Sequence, residues 1–140
     1  RFQLNNATAS IDNAIIDYGE EEFTQGRPHP VLDPKIRCES ILREAEDSET
    51  AVLLMDFILG PAVHPDPVGV TLAPILQAQD LVKQRGGSLA IIASICGTDN
   101  DPQNLTEQQR KLSEIGVLVL PSNVQAAKLA AKIIHIRQRG

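Results

Sequence analysis

Apolar and polar positions run in blocks along this chain, and each block has its own period. Ala51 to Phe57 (AVLLMDF) is nearly continuous in apolar character, which predicts a strand covered on both faces. Pro34 to Asp47 places Cys38, Ile41, Leu42 and Ala45 at helical spacing. The same alternation recurs downstream. Pro67 to Gln84 predicts a helix stopped by Gly86-Gly87, and Ser88 to Ile95 a strand. Leu105, Gln108, Leu112 and Ile115 form a second helical stripe ended by Gly116. Val117 to Leu120 reads as a strand, and Ser122 as the cap of a last helix carrying Leu129, Ile133 and Ile136. Ala14 to Tyr18 is a further short strand candidate. Strands alternating with helices over short connections predict an α/β fold: a flavodoxin-like, doubly wound parallel sheet of four to five strands in three layers.

Composition narrows this picture. Hydrophobic residues make up 42% of the 140 positions while aromatics make up 3% with no Trp, so the core must be aliphatic. Such cores suit parallel sheets under helices. Residues 1–12 read as an irregular segment and 13–140 as one domain. The net charge of -5, without a clustered basic face, argues against nucleic acid and anionic membrane as partners. Cys38 and Cys96 lie far apart with no metal-ligand spacing. They are expected as reduced thiols in a cytoplasmic protein, and no metal site is expected. The chain begins at Arg1 in polar sequence, so it is expected to be a piece of a longer protein.

Candidate chemistry concentrates in the strand-to-helix loops, where open α/β sheets bind ligands. The stretch "LLMDFILGPAVHPDP" poses the question most sharply, since its apolar run carries Asp56 and its loop carries His64 between Val63 and Pro65. Asp-Pro occurs three times, at Asp33-Pro34, Asp66-Pro67 and Asp101-Pro102, each before a predicted helix. Asp is a favoured N-cap and Pro is favoured one position later, so each pair predicts a helix start. Asp caps also occupy the N–H groups that would otherwise hold phosphate, and no GxGxxG or GxxxxGK[ST] is present. Asp56 and His64 are the catalytic candidates. Asp56 is expected to bond the backbone of the Gly60 to His64 loop. Arg27, His29, Gly60, His64, Gly97, Thr98, Ser122 and Asn123 are the ligand-binding or interface candidates, with Arg27 and His29 as the nearest cations.

Four segments together carry a family resemblance: "IIDYGEEEFTQGRPHPVLDPKIR", "AVLLMDFILGPAVHPDP", "ASICGTDNDPQ" and "GVLVLPSNVQAAKLA". From Asn13 to Ile136 the chain resembles the carboxyl-terminal part of FdrA proteins, bacterial relatives of acyl-CoA synthetases of the succinyl-CoA synthetase type. The resemblance implies a flavodoxin-like CoA-ligase domain that acts with upstream CoA-binding regions or partner subunits of the same complex. Its nearest counterpart is the carboxyl-terminal domain of the synthetase β subunit. No cofactor is expected in this chain itself, whereas CoA and Mg-ATP are implied for the full-length protein. The synthetase α subunit carries a phosphohistidine in a Gly-His-x-Gly context. His64 lacks those glycines and lies beside Asp66, so no stable phosphohistidine is expected here. Alternatives are a subunit of a carbamoyl-transferring complex in ureide or oxamate breakdown, and a metal or small-molecule binding module using the acidic rim. A homo-oligomer is compatible with each.

Overall fold

The computed structural model describes residue 10 and residues 12–138. Three strands, β1 (Val52–Ile58), β2 (Ala90–Cys96) and β3 (Leu118–Leu120), form one parallel sheet in the order β1-β2-β3. The helices are α1 (Glu21–Thr24), α2 (Lys35–Glu46), α3 (Gly69–Gln84), α4 (Leu105–Glu114) and α5 (Asn123–Arg137). In register, Met55 pairs with Ala93 and Phe57 with Ile95, while Leu54 pairs with Ile92 and Asp56 with Ser94. Side chains alternate across a sheet, so these pairs point to opposite faces. Met55, Phe57, Ile91, Ala93 and Ile95 join Ile41 of α2, Ile75, Ala78 and Val82 of α3 and Leu112 of α4 in one buried cluster. Ile92 and Ser94 are buried on the other face, which α5 crosses, touching all three strands. The α/β, open parallel, three-layered architecture is as the sequence predicts.

The strand count differs. Ala14 to Tyr18 pairs with no strand, and Ile15 is 99% exposed. Local hydrogen bonds explain why. Asp17 Oδ1 accepts from the Gly19 N–H at 2.8 Å, an Asx turn that bends the chain just where a strand would run on. Arg43 donates to the Tyr18 hydroxyl at 3.3 Å and Ser10, four residues before Ala14, bonds Glu44, so the chain on both sides of this stretch is tied to adjacent residues of α2. Of the expected irregular segment 1–12, all but Ser10 and Asp12 lies outside the described residues.

β1 also departs from expectation, being covered in full on one face and only in part on the other. Leu54 and Ile58 remain 40% and 51% exposed, because among the described residues β1 has a neighbour on one side alone and a single helix, α5, serves the whole of that face.

Two of the three Asp-Pro pairs start helices. Asp33 Oδ1 accepts from the Lys35 N–H at 3.1 Å, and Asp66 Oδ1 accepts from the Gly69 N–H at 2.9 Å. The Asp101-Pro102 pair does not. Asp101 Oδ2 instead takes the Thr98 N–H at 2.6 Å and its hydroxyl at 3.1 Å, closing a turn. Asn104 caps α4 in its place, accepting from the Glu107 N–H at 2.9 Å with φ 57, a left-handed conformation that Asn tolerates well. Ser122 caps α5 as predicted, accepting from the Gln125 N–H at 3.3 Å.

Arg85, just past the end of α3, donates to the carbonyls of Ala45, Glu46 and Asp47 at 2.6, 3.1 and 2.7 Å. A cation thereby meets the orphaned carbonyls at the end of α2.

Candidate functional site

The carboxyl ends of β1 and β2 and the start of α5 enclose an open cleft of about 280 Å³. Asp56 is its central polar group. The Ser94 hydroxyl donates to Asp56 Oδ1 and the Asn123 amide to Asp56 Oδ2, so both carboxylate oxygens have partners. Parallel register sets Ser94 beside Asp56, and the short connection through Pro121 brings Asn123 over the same spot. Ile58, Cys96 and Ser122 complete the wall, with the Cys96 side exposed. The expected bond from Asp56 to the Gly60–His64 loop does not form, because alternation turns its carboxylate toward Ser94 and Asn123.

A buried glutamine holds that loop instead. Gln103 Oε1 accepts from the Gly60 N–H at 3.1 Å, and its amide donates to the carbonyls of Gly60 at 2.8 Å and His64 at 3.1 Å. Gly60 sits at φ +152, a region that side-chain-bearing residues rarely adopt. Gln108 extends the clamp, accepting from the Val68 N–H at 3.1 Å and donating to Asp66 Oδ1 at 3.0 Å. Lys111 Nζ meets Asp66 Oδ2 at 2.8 Å. Burial alone would raise the Asp66 pKa, but the hydrogen bonds from Lys111, Gln108 and the Gly69 N–H outweigh it and hold the carboxyl below its ordinary range.

On the other side of the loop lies a small recess of about 40 Å³, lined by Pro30, Val31, Pro34, Arg37, Asp56, Ile58, His64 and Pro67. The His64 N–H donates to the Val31 carbonyl at 2.7 Å, which joins the two proline-rich loops. His64 Nδ1 accepts from the Asp66 N–H at 3.0 Å. The Arg37 guanidinium lies 4.9 Å from the centre of the Phe57 ring. Desolvation lowers its pKa, while the negative charge of Asp56 works in the opposite sense.

The structure thus brings Asp56, Ser122 and Asn123 into the cleft, and Asp56 and His64 into the recess. Gly60 lies in the clamped loop. Arg27 and His29 line neither space. Arg27 is exposed, and His29 packs against Gly19 with its Nδ1 accepting from the Val31 N–H at 3.3 Å. Gly97 has a packing role, since a Cβ there would fall 2.6 Å from Leu59 Cβ. Thr98 is taken up in its turn with Asp101. Among the described residues, no group of three or more His, Cys, Asp or Glu side chains could hold a metal ion. No helix among them is long and apolar enough to cross a membrane.

Arg37, Ser94, Gln103 and Lys111 escaped the sequence reading, whereas Gln108 was placed in the α4 stripe without a role. Gln103 falls in a helix-opening stretch where an amide reads as solvated. Arg37, one position after Ile36, reads as a polar helix residue. Ser94 left a signal as a polar residue midway through an apolar strand, as Gln108 did within a helical stripe.

An open parallel sheet whose polar cleft lies beyond the strand ends is the form of an α/β ligand-binding or ligase domain. Residues 3–133 match the CoA-ligase family, and the chain belongs to it. It is also 38% identical over 133 residues to the "Uncharacterized protein YahF" of Escherichia coli (strain K12). That alignment takes in 95% of this chain and 26% of the relative, so the chain spans about a quarter of the length of the curated relative it matches.

Proposed function

We propose that this chain is the carboxyl-terminal domain of an FdrA-like, acyl-CoA-synthetase-related protein. It works with upstream CoA-binding or partner subunits in the cytoplasm and is not catalytic alone. The observation that carries this reading is the half-built cleft at Asp56. Its floor has donors and acceptors in place in Ser94, Asn123 and the carboxylate itself, yet the cleft stands open on its outer side. Ile58 beside it is 51% exposed, and Leu54 and Leu118 on the same face are 40% and 46% exposed. Apolar surface around a polar floor is what a completing domain would cover.

The residues present do not fit a nucleotide. The starts of α3, α4 and α5 accept side-chain caps from Asp66, Asn104 and Ser122, and the start of α2 is bonded by Asp33. A carboxylate at two of these starts opposes a phosphate there. CoA and Mg-ATP are therefore assigned to the remainder of the full-length protein. The test compares this chain with the full-length protein for CoA- and ATP-dependent turnover. Turnover is expected in the full-length protein, falling by about tenfold or more when Asn123→Ala disturbs the cleft floor. Turnover by the isolated chain would refute the division of labour.

A further inference from the structure

The two faces of the sheet are covered unequally. α2, α3 and α4 pack on one face, around Phe57 and Ile75, whereas among the described residues α5 alone crosses the other. Strands lie about 4.8 Å apart and a helix covers about 10 Å, so one helix cannot roof three strands. The uncovered strip includes β1. Leu54 and Ile58 point to the α5 face and stay 40% and 51% exposed. The flank of α5 above them is narrow. Asn123 reaches Asp56 of β1, and counting by the helical period from Asn123 puts Ala127, Ala130 and Ile134 on that same side. Side chains this small let a second helix come close to α5. Leu118, 46% exposed beyond the other flank, lies on a strand of three residues, too short to seat a helix. Charge is a second, independent constraint. Lys128, Lys132 and His135 are exposed along α5, and Lys128 and Lys132 form no ion pair among the described residues. Every Asp and Glu of the chain precedes Pro121, so α5 carries cations and no acid.

We propose that a helix from the rest of the full-length polypeptide lies beside α5, its apolar stripe on Leu54 and Ile58 and its Asp or Glu side chains along the edge that meets Lys128 and Lys132. The curated relative is aligned with this chain over 26% of its own length, so a protein of that size has ample chain to supply such an element. A neutral or basic helix would leave the α5 cations unpaired beside a closing groove. A second copy of this chain fits less well. Two-fold pairing through this face would bring Lys128 and Lys132 near their own equivalents, and like charges across an interface repel. Covering Ile58 would also close the open side of the Asp56 cleft, which Ile58 lines. This helix presupposes the reading of the chain as one domain of a longer protein, whose cleft it completes.

The experiment places Leu54→Cys in the full-length protein and in this chain alone, and follows alkylation of the new thiol by N-ethylmaleimide. Mass spectrometric mapping separates it from Cys38 and Cys96. The thiol at position 54 is expected to react at least about tenfold more slowly in the full-length protein. Should that variant not fold, Ala127→Cys on the α5 flank gives the same comparison. A carbodiimide cross-link from Lys128 in the full-length protein should land on Asp or Glu side chains outside this domain, spaced three or four apart as on one helix edge. The proposal fails if position 54 reacts equally fast in both proteins. It fails equally if protection appears in the chain alone and grows with its concentration, which would mean a second copy. Cross-links that are missing, or that reach only acids of this domain or acids without helical spacing, also overturn it. Protection is read without turnover. A full-length protein that is protected yet inactive with CoA and ATP would sink the ligase reading and leave the helix in place.

Discussion

Cys38 donates its thiol proton to the carbonyl of Val70 at 3.5 Å, and that carbonyl is the one Pro74 leaves without its helical partner. In a regular helix the N–H of residue 74 would bond the carbonyl of residue 70, and proline has no N–H. A side chain of α2 thus repairs a gap in α3, at the interface where the two helices pack. Desolvation raises the Cys38 pKa, Arg37 opposing it, and the thiol form that can donate is favoured.

Cys38→Ala should therefore cost about 0.5–1 kcal/mol by chemical denaturation, the range of a weak hydrogen bond. Pro74→Ala restores a backbone donor to Val70. In a double-mutant cycle the Cys38→Ala cost should then shrink, giving a coupling of about 0.5 kcal/mol. Strict additivity would show that the thiol and the carbonyl do not interact.

Gln103 is the side chain that binds the first half of the loop after β1 directly. Replacing it with Leu removes partners from the buried Gly60 N–H and from two carbonyls. Unsatisfied buried groups cost about 1–3 kcal/mol, so Gln103→Leu should lower stability by roughly 2–4 kcal/mol. Its amide exchange should rise at Gly60 and His64 while the β2 amides stay protected. Unchanged exchange at Gly60 would mean that the loop holds itself.

Much of the fold was legible because burial repeats with the period of each element. The runs at Ala51 and Ser88 and the stripes of α2 to α4 announced themselves in this way. Ala14 to Tyr18 has the same apolar look, and a local Asx turn with two side-chain ties to α2 overrides it. The cap of α4 was misplaced for a related reason. Asp101 and Asn104 are both good caps, and only the competing turn at Thr98 decides between them. Asp56 was legible as a polar residue in a strand, but its partners Ser94 and Asn123 come from 38 and 67 residues away, set by sheet register. Arg37 of α2 and His64 of the loop after β1 line one recess, a relation that no spacing rule encodes.

Acid should loosen the start of α3. Asp66 has a folded-state pKa below its unfolded value, so its stabilising contribution is full above the unfolded pKa of about 4 and declines as pH falls through the folded value. Stability measured from pH 6 downward should fall less steeply in Asp66→Asn than in the unaltered chain, with the two curves converging once the pH has passed below the folded value. The side chain is 42% exposed, so solvent screens the Lys111 pair and the difference will be modest. Parallel curves would place the acid sensitivity elsewhere.

Gly97 tests whether the turn after β2 is a ligand loop or a packing joint. It lies just beyond Cys96, and the Leu59 side chain presses against its Cα, so that a Cβ would fall 2.6, 2.7 and 2.8 Å from Leu59 Cβ, Cγ and Cδ1. Leu59 is buried at 7% exposure, and its N–H donates to the Cys96 carbonyl at 2.9 Å, so neither its side chain nor its backbone can move away freely. Gly97→Ala should overpack this joint and cost about 1–3 kcal/mol in denaturant unfolding. Leu59→Ala makes room for the new methyl at the expense of a cavity, which on its own costs about 2–5 kcal/mol. The double variant should therefore be more stable than the sum of the two single losses requires, by about 1 kcal/mol or more. Gly97→Ala with unaltered stability would mean that the joint yields without cost, and the position would return to the candidates for ligand contact.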